Sequence, residues 1–265
     1  MTAVERPSID TAAQYRGGAF AVEHVSHEYV SAGKRTPTIA DASFTIPAGH
    51  VCCVVGPSGC GKSTLLGLAA GLMAPSSGRL VWDGEVVRLG PNRHIGMAFQ
   101  QPGLFPWLTV LQNVAIGLRT RGFARGEARR IAEEFLVTVG LRDFQDAYPS
   151  QLSGGMAQRV GIARALALQP RMLLLDEPFA AVDAFTRLKL QQELLALLRR
   201  YRPTVIFVTH DVAEAIAVGD MIVVMSARPA SVLRIIPVDA ADRNRASAAF
   251  AHKLGETLEC LGVTQ

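Results

Sequence analysis

Two hydrophobic periods alternate along the chain. Between Leu108 and Leu168, apolar residues recur at three- and four-residue spacings, which indicates helices. Helices predicted from about Ala184 and Val212 separate apolar runs, and this alternation of strand and helix is typical of a parallel sheet. The short apolar runs that predict strands fall at 20–22, 42–46, 51–55, 94–99, 172–175, 205–208 and 222–225.

The first third of the chain favours an antiparallel arrangement. A loop is expected over 31–37, between the first two predicted strands. A second pair of strands is expected within 78–87, turning at Asp83 and Gly84, because an Asp-Gly pair between apolar runs is a strong hairpin signal. Together these strands predict an antiparallel subdomain beside the parallel sheet.

Composition and charge narrow the possible functions. The 265 residues are 49% hydrophobic and 19% charged, and the longest apolar run, 65–73, is far shorter than the ~18 residues that span a bilayer. The first ten residues are polar and include two acids, so no secretory signal is expected. We therefore expect a protein at the cytoplasmic side of the cell that reaches a membrane only through a partner.

The basic residues do not indicate a nucleic-acid partner. A net charge of +4 is too small to indicate nucleic-acid binding, and we expect no nucleic-acid partner. The densest basic stretch, 119–130, is interpreted as a solvated helix face, with an anionic lipid or partner surface as the alternative.

The strongest motif is a glycine-rich loop between a predicted strand and a predicted helix. This GPSGCGKST segment, at 56–64, matches the pattern of a phosphate-binding loop in the required context. Its backbone N–H groups and the helix N-terminus would bind the phosphates of ATP, Lys62 would reach the β- and γ-phosphates, and Ser63 would ligate Mg²⁺. The predicted nucleotide-binding residues of the loop are Gly56, Pro57, Ser58, Gly59, Cys60, Gly61, Lys62, Ser63 and Thr64.

Cysteines add one further expectation. Cys52 and Cys53 are adjacent on a predicted strand and are interpreted as small core residues. Cys60 lies in the phosphate loop at a helix N-terminus, where the thiolate is favoured, so thiol reagents are expected to inhibit through it and ATP to slow them.

An acidic pair follows the apolar strand at 172–175. Ligands of α/β sheets bind at the carboxyl ends of the strands, which is where Asp176 and Glu177 fall. Asp176 is predicted to hold Mg²⁺ through water, and Glu177 to orient or deprotonate an attacking water.

A second candidate anion site opens the helix after Leu152. Ser153, Gly154 and Gly155 open the helix, and a helix N-terminus with such residues binds anions readily. Since the phosphate loop already accounts for the nucleotide of this chain, the second site requires another explanation.

The three segments together resemble the ATP-binding cassette (ABC) family over roughly 20–235. The order and spacing of 56–64, 152–160 and 172–178 match a complete cassette, and LSGGM followed by AQR is very specific. The resemblance implies an α/β, P-loop NTPase fold with a mainly parallel core sheet, an antiparallel β subdomain and an inserted α-helical subdomain. It also implies a head-to-tail dimer in which Ser153, Gly154 and Gly155 cover the γ-phosphate held by the other copy.

Other family positions carry over residue by residue. Gln100 resembles the glutamine that touches Mg²⁺ and the attacking water, and His210 resembles the histidine that contacts the γ-phosphate. Asp183 resembles the aspartate that bridges the two copies, although Val182 replaces the usual leucine before it. Tyr29 is the best match to the aromatic residue that stacks on adenine. The resemblance thus implies Glu177, His210 and Gln100 as catalytic residues, and Ser63, Gln100 and Asp176 at the metal.

The segment after Gln100 points to one branch of the family. Residues 106–110 (PWLTV), with 226–229 and 235–238, resemble the nitrate, sulfonate and taurine importers, although the usual glycine-arginine after Pro229 is Ala230 and Ser231. In the family this region lies in the groove that receives the permease, but Trp107 would also suit a core aromatic. The resemblance implies an integral-membrane permease and, indirectly, a periplasmic or extracellular solute-binding protein.

Two alternatives stay open beside an importer ATPase on the cytoplasmic face of the inner membrane. They are a soluble cassette acting on ribosomes or DNA and an exporter subunit. A regulator that does not hydrolyse ATP is disfavoured, because Glu177, His210 and Ser153 occur together. The expected division is a flexible lead-in (1–19), the cassette (20–235, helical subdomain about 101–168) and an extension (236–265). An amphipathic helix in that extension, packed on its own domain, is expected from Phe250, Leu254, Leu258 and Leu261.

Overall fold

The computed structural model describes residues 17–180 and 182–263. Its centre is a mixed sheet in the order β5-β4-β1-β2-β10-β9-β3-β8-β7-β6. The strands are β1 (Phe20–Ser31), β2 (Lys34–Ile46), β3 (Val51–Val55), β4 (Ser77–Trp82), β5 (Glu85–Val86), β6 (Ile95–Ala98), β7 (Met172–Asp176), β8 (Thr204–Val208), β9 (Met221–Met225) and β10 (Ala230–Pro237).

The helices lie between and beside these strands. Longer helices are α1 (Lys62–Ala69), α2 (Val110–Thr120), α3 (Arg125–Thr138), α4 (Gly154–Ala167), α5 (Ala184–Tyr201), α6 (Val212–Val218) and α7 (Ala248–Cys260). Short 3-10 turns occupy Arg142–Phe144 and Pro149–Gln151. No helix in the part of the chain that the structure describes has the length and apolar character needed to cross a membrane.

Half of the sheet is parallel, as predicted. β3 pairs in parallel with β8 and β9, and β7 pairs in parallel with β8 and β6. Every residue of β3, β7 and β8 is buried, because helices cover both faces of a parallel sheet. The carboxyl ends of these strands therefore meet at one edge, where the loops that follow them are brought together.

The antiparallel half corrects one prediction. The expected loop over 31–37 is wrong, because β1 and β2 form one long hairpin that turns at Ala32 and Gly33, both at positive φ. Register shifts between Val22 and His27 interrupt the two-residue alternation that would have identified β1 as a single strand. The turn expected at Asp83 and Gly84 is confirmed between β4 and β5.

The inserted helices form a layer of their own. Thr109 caps α2 with a capping box, in which its hydroxyl accepts from Gln112 N while the Gln112 side chain accepts from Thr109 N. The apolar faces of α2, α3 and α4 share one buried core, with Val114, Ile131 and Leu166 among its members. The fold class read from the sequence, with its helical insertion, is thereby confirmed.

Both ends of the described part of the chain pack onto this body. Most of the predicted lead-in lies outside the described residues, and Gly17 is buried and donates from its backbone N–H to Arg202 O. The predicted boundary at residue 235 falls inside β10, which extends the sheet by pairing antiparallel with β9. Ile236 and Phe250 are buried in the same core as the helical layer, so α7 packs on this domain.

Candidate active site

A cavity of about 460 Å³ opens at the carboxyl edge of the parallel strands. Loops after β3, β6, β7, β8 and β9 all reach it, in keeping with the usual place for ligands in such sheets. The lining residues are Tyr29, Thr38, Ser58, Gly59, Gly61, Lys62, Ser63, Thr64, Gln100, Glu177, His210 and Arg228.

The glycine loop closes the cavity floor. Gly61 has a φ of 123°, which strains any other residue, and a Cβ there would lie 3.0 Å from Thr38 Cγ2, so a larger residue would also crowd the Thr38 side chain. Lys62 begins α1 and is only 6% exposed, with its Nζ donating to Gly56 O at 2.8 Å and to Pro57 O at 3.0 Å. These bonds hold the ammonium group inside the curve of the loop, where an anion would meet both the charge and the helix N-terminus.

Asp176 lies behind the loop, at the end of β7. Burial raises the pKa of its carboxyl group, the Ser63 hydroxyl lowers it through a hydrogen bond, Glu177 raises it and Lys62 lowers it. The hydroxyl and the carboxyl group thus form a compact pair of oxygen ligands beside Lys62.

Glu177 stands at the meeting point of three loops. Its backbone has a φ of 44°, an uncommon conformation for a residue other than glycine, and its N–H donates to Val208 O at 2.9 Å. Gln100 Nε2 donates to Glu177 Oε2 at 3.2 Å, and His210 Nδ1 lies 3.3 Å from the same oxygen. One carboxylate oxygen is therefore shared by the side chains that follow β6 and β8.

Tyr29 forms a side wall of the cavity. Its hydroxyl lies 3.2 Å from Thr64 Oγ1, and its ring packs edge-on against His27 with centroids 4.9 Å apart. Tyr29 is 43% exposed and lines the cavity, which leaves its ring open to a planar ligand.

Besides Asp176 and the loop residues Gly56, Pro57 and Cys60, four predicted site residues do not line this cavity. Ser153 caps α4 by accepting from Met156 N, and Ser153 and Gly154 are exposed. Gly155 follows them into the first turn. Asp183 caps α5 by accepting from Thr186 N at 3.1 Å, and this hydrogen bonding lowers the pKa of its carboxyl group. The single chain therefore does not bring these residues to its own glycine loop.

The structure corrects the expectation for Cys60. Its side chain is 1% exposed and belongs to the core cluster beneath α1, and a Cβ at Gly56 would lie 3.1 Å from its sulfur. The loop curls around the cavity through its backbone and turns this side chain inward, so the thiol does not face the phosphate cradle.

Two lining residues were missed by the sequence analysis. Arg228 donates from Nε to Pro37 O at 3.0 Å and from Nη2 to Thr38 Oγ1 at 2.8 Å, and the second of these bonds holds Thr38 at the cavity wall. Arg228 could have been predicted from its position just after β9, because the other parallel strands are also followed by site residues. Thr38 could not be predicted in this way, because it lies within a long strand.

Comparison with known proteins assigns the family. Residues 39–180 match the ABC transporter family. The taurine import ATP-binding protein TauB of Pseudomonas aeruginosa (strain PAO1) is 43% identical over 83% of this chain and 84% of its own length. The aliphatic sulfonates import ATP-binding protein SsuB of Bacillus licheniformis is 44% identical over 82% of this chain and 84% of its own length.

A solved structure gives the same result. The dimeric, post-hydrolysis ATP-binding cassette MJ0796 bound to ADP and Pi superposes with a TM-score of 0.76 at 32% identity, over 83% of this chain and 99% of that one. The fold of the present chain, its glycine loop and the cavity at the carboxyl edge of its sheet agree with the family match. The chain therefore belongs to the ABC transporter family, as an ATP-binding cassette that hydrolyses ATP.

Proposed function

We propose that this chain is the ATP-hydrolysing subunit of a bacterial importer. Two copies bind ATP head to tail on the cytoplasmic face of the inner membrane and drive a separate integral-membrane permease. The observation that carries the proposal is the meeting of Gln100 and His210 at one oxygen of Glu177, inside the cavity that the glycine loop closes.

The nucleotide is held mainly by the backbone. N–H groups of the loop and the α1 N-terminus bind the phosphates, and Lys62 exchanges its carbonyl partners for phosphate oxygens. Tyr29 stacks on the base, since its ring is the exposed aromatic surface of the cavity wall.

The oxygen ligands beside Lys62 suit Mg²⁺. Mg²⁺ is usually bound by one or two carboxylates together with substrate phosphates and waters, and the paired Ser63 and Asp176 side chains, with the Gln100 amide, supply such a set. Bound Mg²⁺ would neutralise charge that develops on the phosphates.

Glu177 is the proposed general base. A water attacking the γ-phosphate is oriented by Gln100 and gives its proton to the Glu177 carboxylate, while His210 contacts the γ-phosphate. The shared oxygen keeps both partners of the base within hydrogen-bonding distance before the nucleotide arrives.

The exposed Ser153, Gly154 and Asp183 complete the site of the second copy. A helix N-terminus that is exposed and already capped by a serine presents N–H groups to an anion outside its own chain. Asp183, also exposed, bridges the two copies in this arrangement.

The permease is proposed to bind a groove of the helical layer. Trp107 is 69% exposed, which excludes the core-aromatic interpretation. The residues that come directly after it in the sequence line a groove of about 420 Å³. Apolar residues Leu108, Leu111, Ala115 and Ile116 and basic residues Arg119, Arg125 and Arg129 line that groove.

The transported solute is proposed to be a small anion of the sulfonate, taurine or nitrate class. The names of two relatives, taurine and aliphatic sulfonates import proteins, support that class. A solute-binding protein outside the membrane would deliver the solute to the permease.

Partner capture tests the proposal. Tagged Glu177→Gln protein, produced in its own host and held with ATP, is extracted from membranes in mild detergent beside a Trp107→Ala version. A polytopic membrane protein that co-purifies with the first and is lost with the second supports the importer. Ribosomal or DNA-repair partners, with no membrane protein bound, would overturn the importer and leave the ATPase assignment intact.

A further inference from the structure

Three polar side chains are buried beneath the loop that carries His210. Thr209 is 2% exposed, Gln191 of α5 is 3% exposed and Glu214 of α6 is 4% exposed. Burial of a polar group costs free energy unless it is hydrogen-bonded, and burial of a carboxylate costs most. The bonds that these side chains make therefore decide what the cluster does.

Both oxygens of the Glu214 carboxylate accept hydrogen bonds. Thr209 Oγ1 donates to Oε2 at 2.5 Å, and Gln191 Nε2 donates to Oε1 at 2.9 Å. Thr209 Oγ1 also accepts from Asp211 N at 3.0 Å. The residues on either side of His210 are thus attached, directly or through one hydroxyl, to a single buried carboxyl group.

The C-terminal segment fixes the outer end of this cluster. Arg245, between β10 and α7, donates from Nη2 to Gln191 Oε1 at 3.3 Å. A guanidinium group can only donate, so the amide oxygen of Gln191 faces Arg245 and its NH₂ group faces Glu214. The hydrogen-bonded chain therefore runs from the C-terminal segment to the loop beside the cavity.

The ring of His210 depends on this backbone for its place. Its side chain is 60% exposed, with Nδ1 3.3 Å from Glu177 Oε2. Because so little of the ring is packed, the direction in which it points is set by the backbone at 209–211. Asp211 adds to that control by accepting from Glu214 N as the cap of α6.

We propose that Gln191 and Glu214 are positioning residues for His210, which hold its loop in the conformation that places the imidazole at Glu177 and the γ-phosphate. This inference rests on the role proposed for His210. Apolar residues of similar volume would fill the same space without the free-energy cost of burying a carboxyl group. The role of the cluster is therefore to fix the conformation of the loop through directional hydrogen bonds.

Burial supports this reading of Glu214. Burial raises the pKa of its carboxyl group, the hydrogen bonds from Thr209 and Gln191 lower it, Asp211 raises it and Arg187 lowers it. Burying the Glu214 carboxylate thus has a free-energy cost that its hydrogen bonds only partly offset.

Substitutions on α5 provide a matched test in the full-length protein. Gln191→Leu removes the donor to Glu214, while Gln192→Leu makes the same chemical change at the next, exposed position. We expect Gln191→Leu and Glu214→Leu to lower kcat for ATP about tenfold or more, since small misplacements of a reacting group are that costly, with KM little changed. Glu214→Gln should retain most of the activity, because its amide keeps one acceptor and the Thr209 hydroxyl can turn to accept.

A second readout is independent of turnover. In ATP-free protein, the imidazole resonance of His210, assigned by its loss in His210→Ala, should move in Gln191→Leu and stay in place in Gln192→Leu. If it moves while kcat does not fall, the positioning stands and the role of His210 fails. Variants that fold, keep the wild-type His210 resonance and keep kcat would overturn the proposal, even if their melting temperatures fall. Should Glu214→Leu fail to fold, Gln191→Leu, which leaves the Thr209 bond intact, decides the matter alone.

Discussion

Glu177 Oε2 lies 3.3 Å from His210 Nδ1, although the two residues follow different strands of the sheet. β7 and β8 are parallel neighbours, so their carboxyl ends emerge side by side. Glu177 then turns at a φ of 44° and donates its N–H to Val208 O, which aims its carboxylate across the strand ends at the histidine. The geometry of the proposed base is thus a consequence of sheet topology together with one strained residue.

Glu177→Gln should keep ATP binding and lose most turnover. The amide has the same shape but does not take up a proton, and a positioned base contributes about a hundredfold to ten-thousandfold to the rate. Steady-state hydrolysis and light scattering with ATP would show slow turnover and an accumulated dimer. Glu259→Gln, an exposed change on α7, is the control and should behave as wild type. Normal turnover by Glu177→Gln would remove the residue from its role.

Arg228→Gln should weaken ATP binding about tenfold, which is the usual scale for losing a charge-assisted contact. The guanidinium group lines the cavity and also holds Thr38, the wall against which Gly61 packs. Titration with a fluorescent ATP analogue gives the dissociation constant. Arg234→Gln removes the same charge from β10, where it pairs with Glu256 outside the cavity, and should leave affinity unchanged. Equal affinity in both variants would exclude Arg228 from the nucleotide site.

Much of the fold was accessible from sequence because its strongest features are local. The glycine loop and the apolar strands β7, β8 and β9 can each be recognised from a few consecutive residues. The long hairpin was missed because register shifts break the alternation of β1, and because its turn places Ala32, a residue other than glycine, at positive φ.

At the site, sequence patterns identify residues but do not give their positions relative to one another. A pattern identifies Gln100, Glu177 and His210 one by one, but only the sheet order places them around one oxygen. Thr38 and Arg228 reach the cavity by tertiary contact between β2 and the loop after β9, which no local spacing encodes. Whether a side chain in the loop faces the cavity or the core is likewise a property of packing, as Cys60 shows.

Cys60 should react slowly with thiol reagents, and Cys260 faster. The Cys60 sulfur is buried beneath the loop, while Cys260 is partly exposed on α7. Mass spectrometry of peptides from native protein labelled for short times gives both rates. Rapid loss of activity that tracks modification of Cys60 would show that the loop opens readily. A Cys260→Ser variant isolates the slower reaction.

Stability should depend on pH through Glu214. The pKa of Glu214 in the folded protein is raised above the ordinary value of 4.5. The protonated carboxyl group therefore stabilises the folded state in full below that pH, and this stabilisation is lost as pH rises through the folded-state pKa. Glu214→Gln has no such titration. The free energy of unfolding of the variant, relative to wild type, should therefore rise with pH above about 4.5 and then level off. Urea unfolding across this range measures the difference, and a gap that is constant with pH contradicts the prediction.

Mixing two inactive variants should restore activity if Ser153 serves the second copy. Lys62→Ala disables the glycine loop, and Ser153→Arg blocks the exposed N-terminus of α4. In a head-to-tail dimer of one of each, one composite site loses both groups and the other keeps both. An equal mixture forms mixed dimers for half of its population, so about one quarter of wild-type hydrolysis is expected.

The control for this mixture separates the two geometries. If Ser153 acted on the nucleotide of its own chain, each protomer in the mixture would carry one defect and every site would fail. Hydrolysis no greater than that of either variant alone would then contradict the composite site. The double variant Lys62→Ala, Ser153→Arg mixed with either single variant has no intact pair in any dimer, so it should stay inactive in both geometries. Recovery in the first mixture and none in the second requires that the exposed serine of one copy meet the glycine loop of the other.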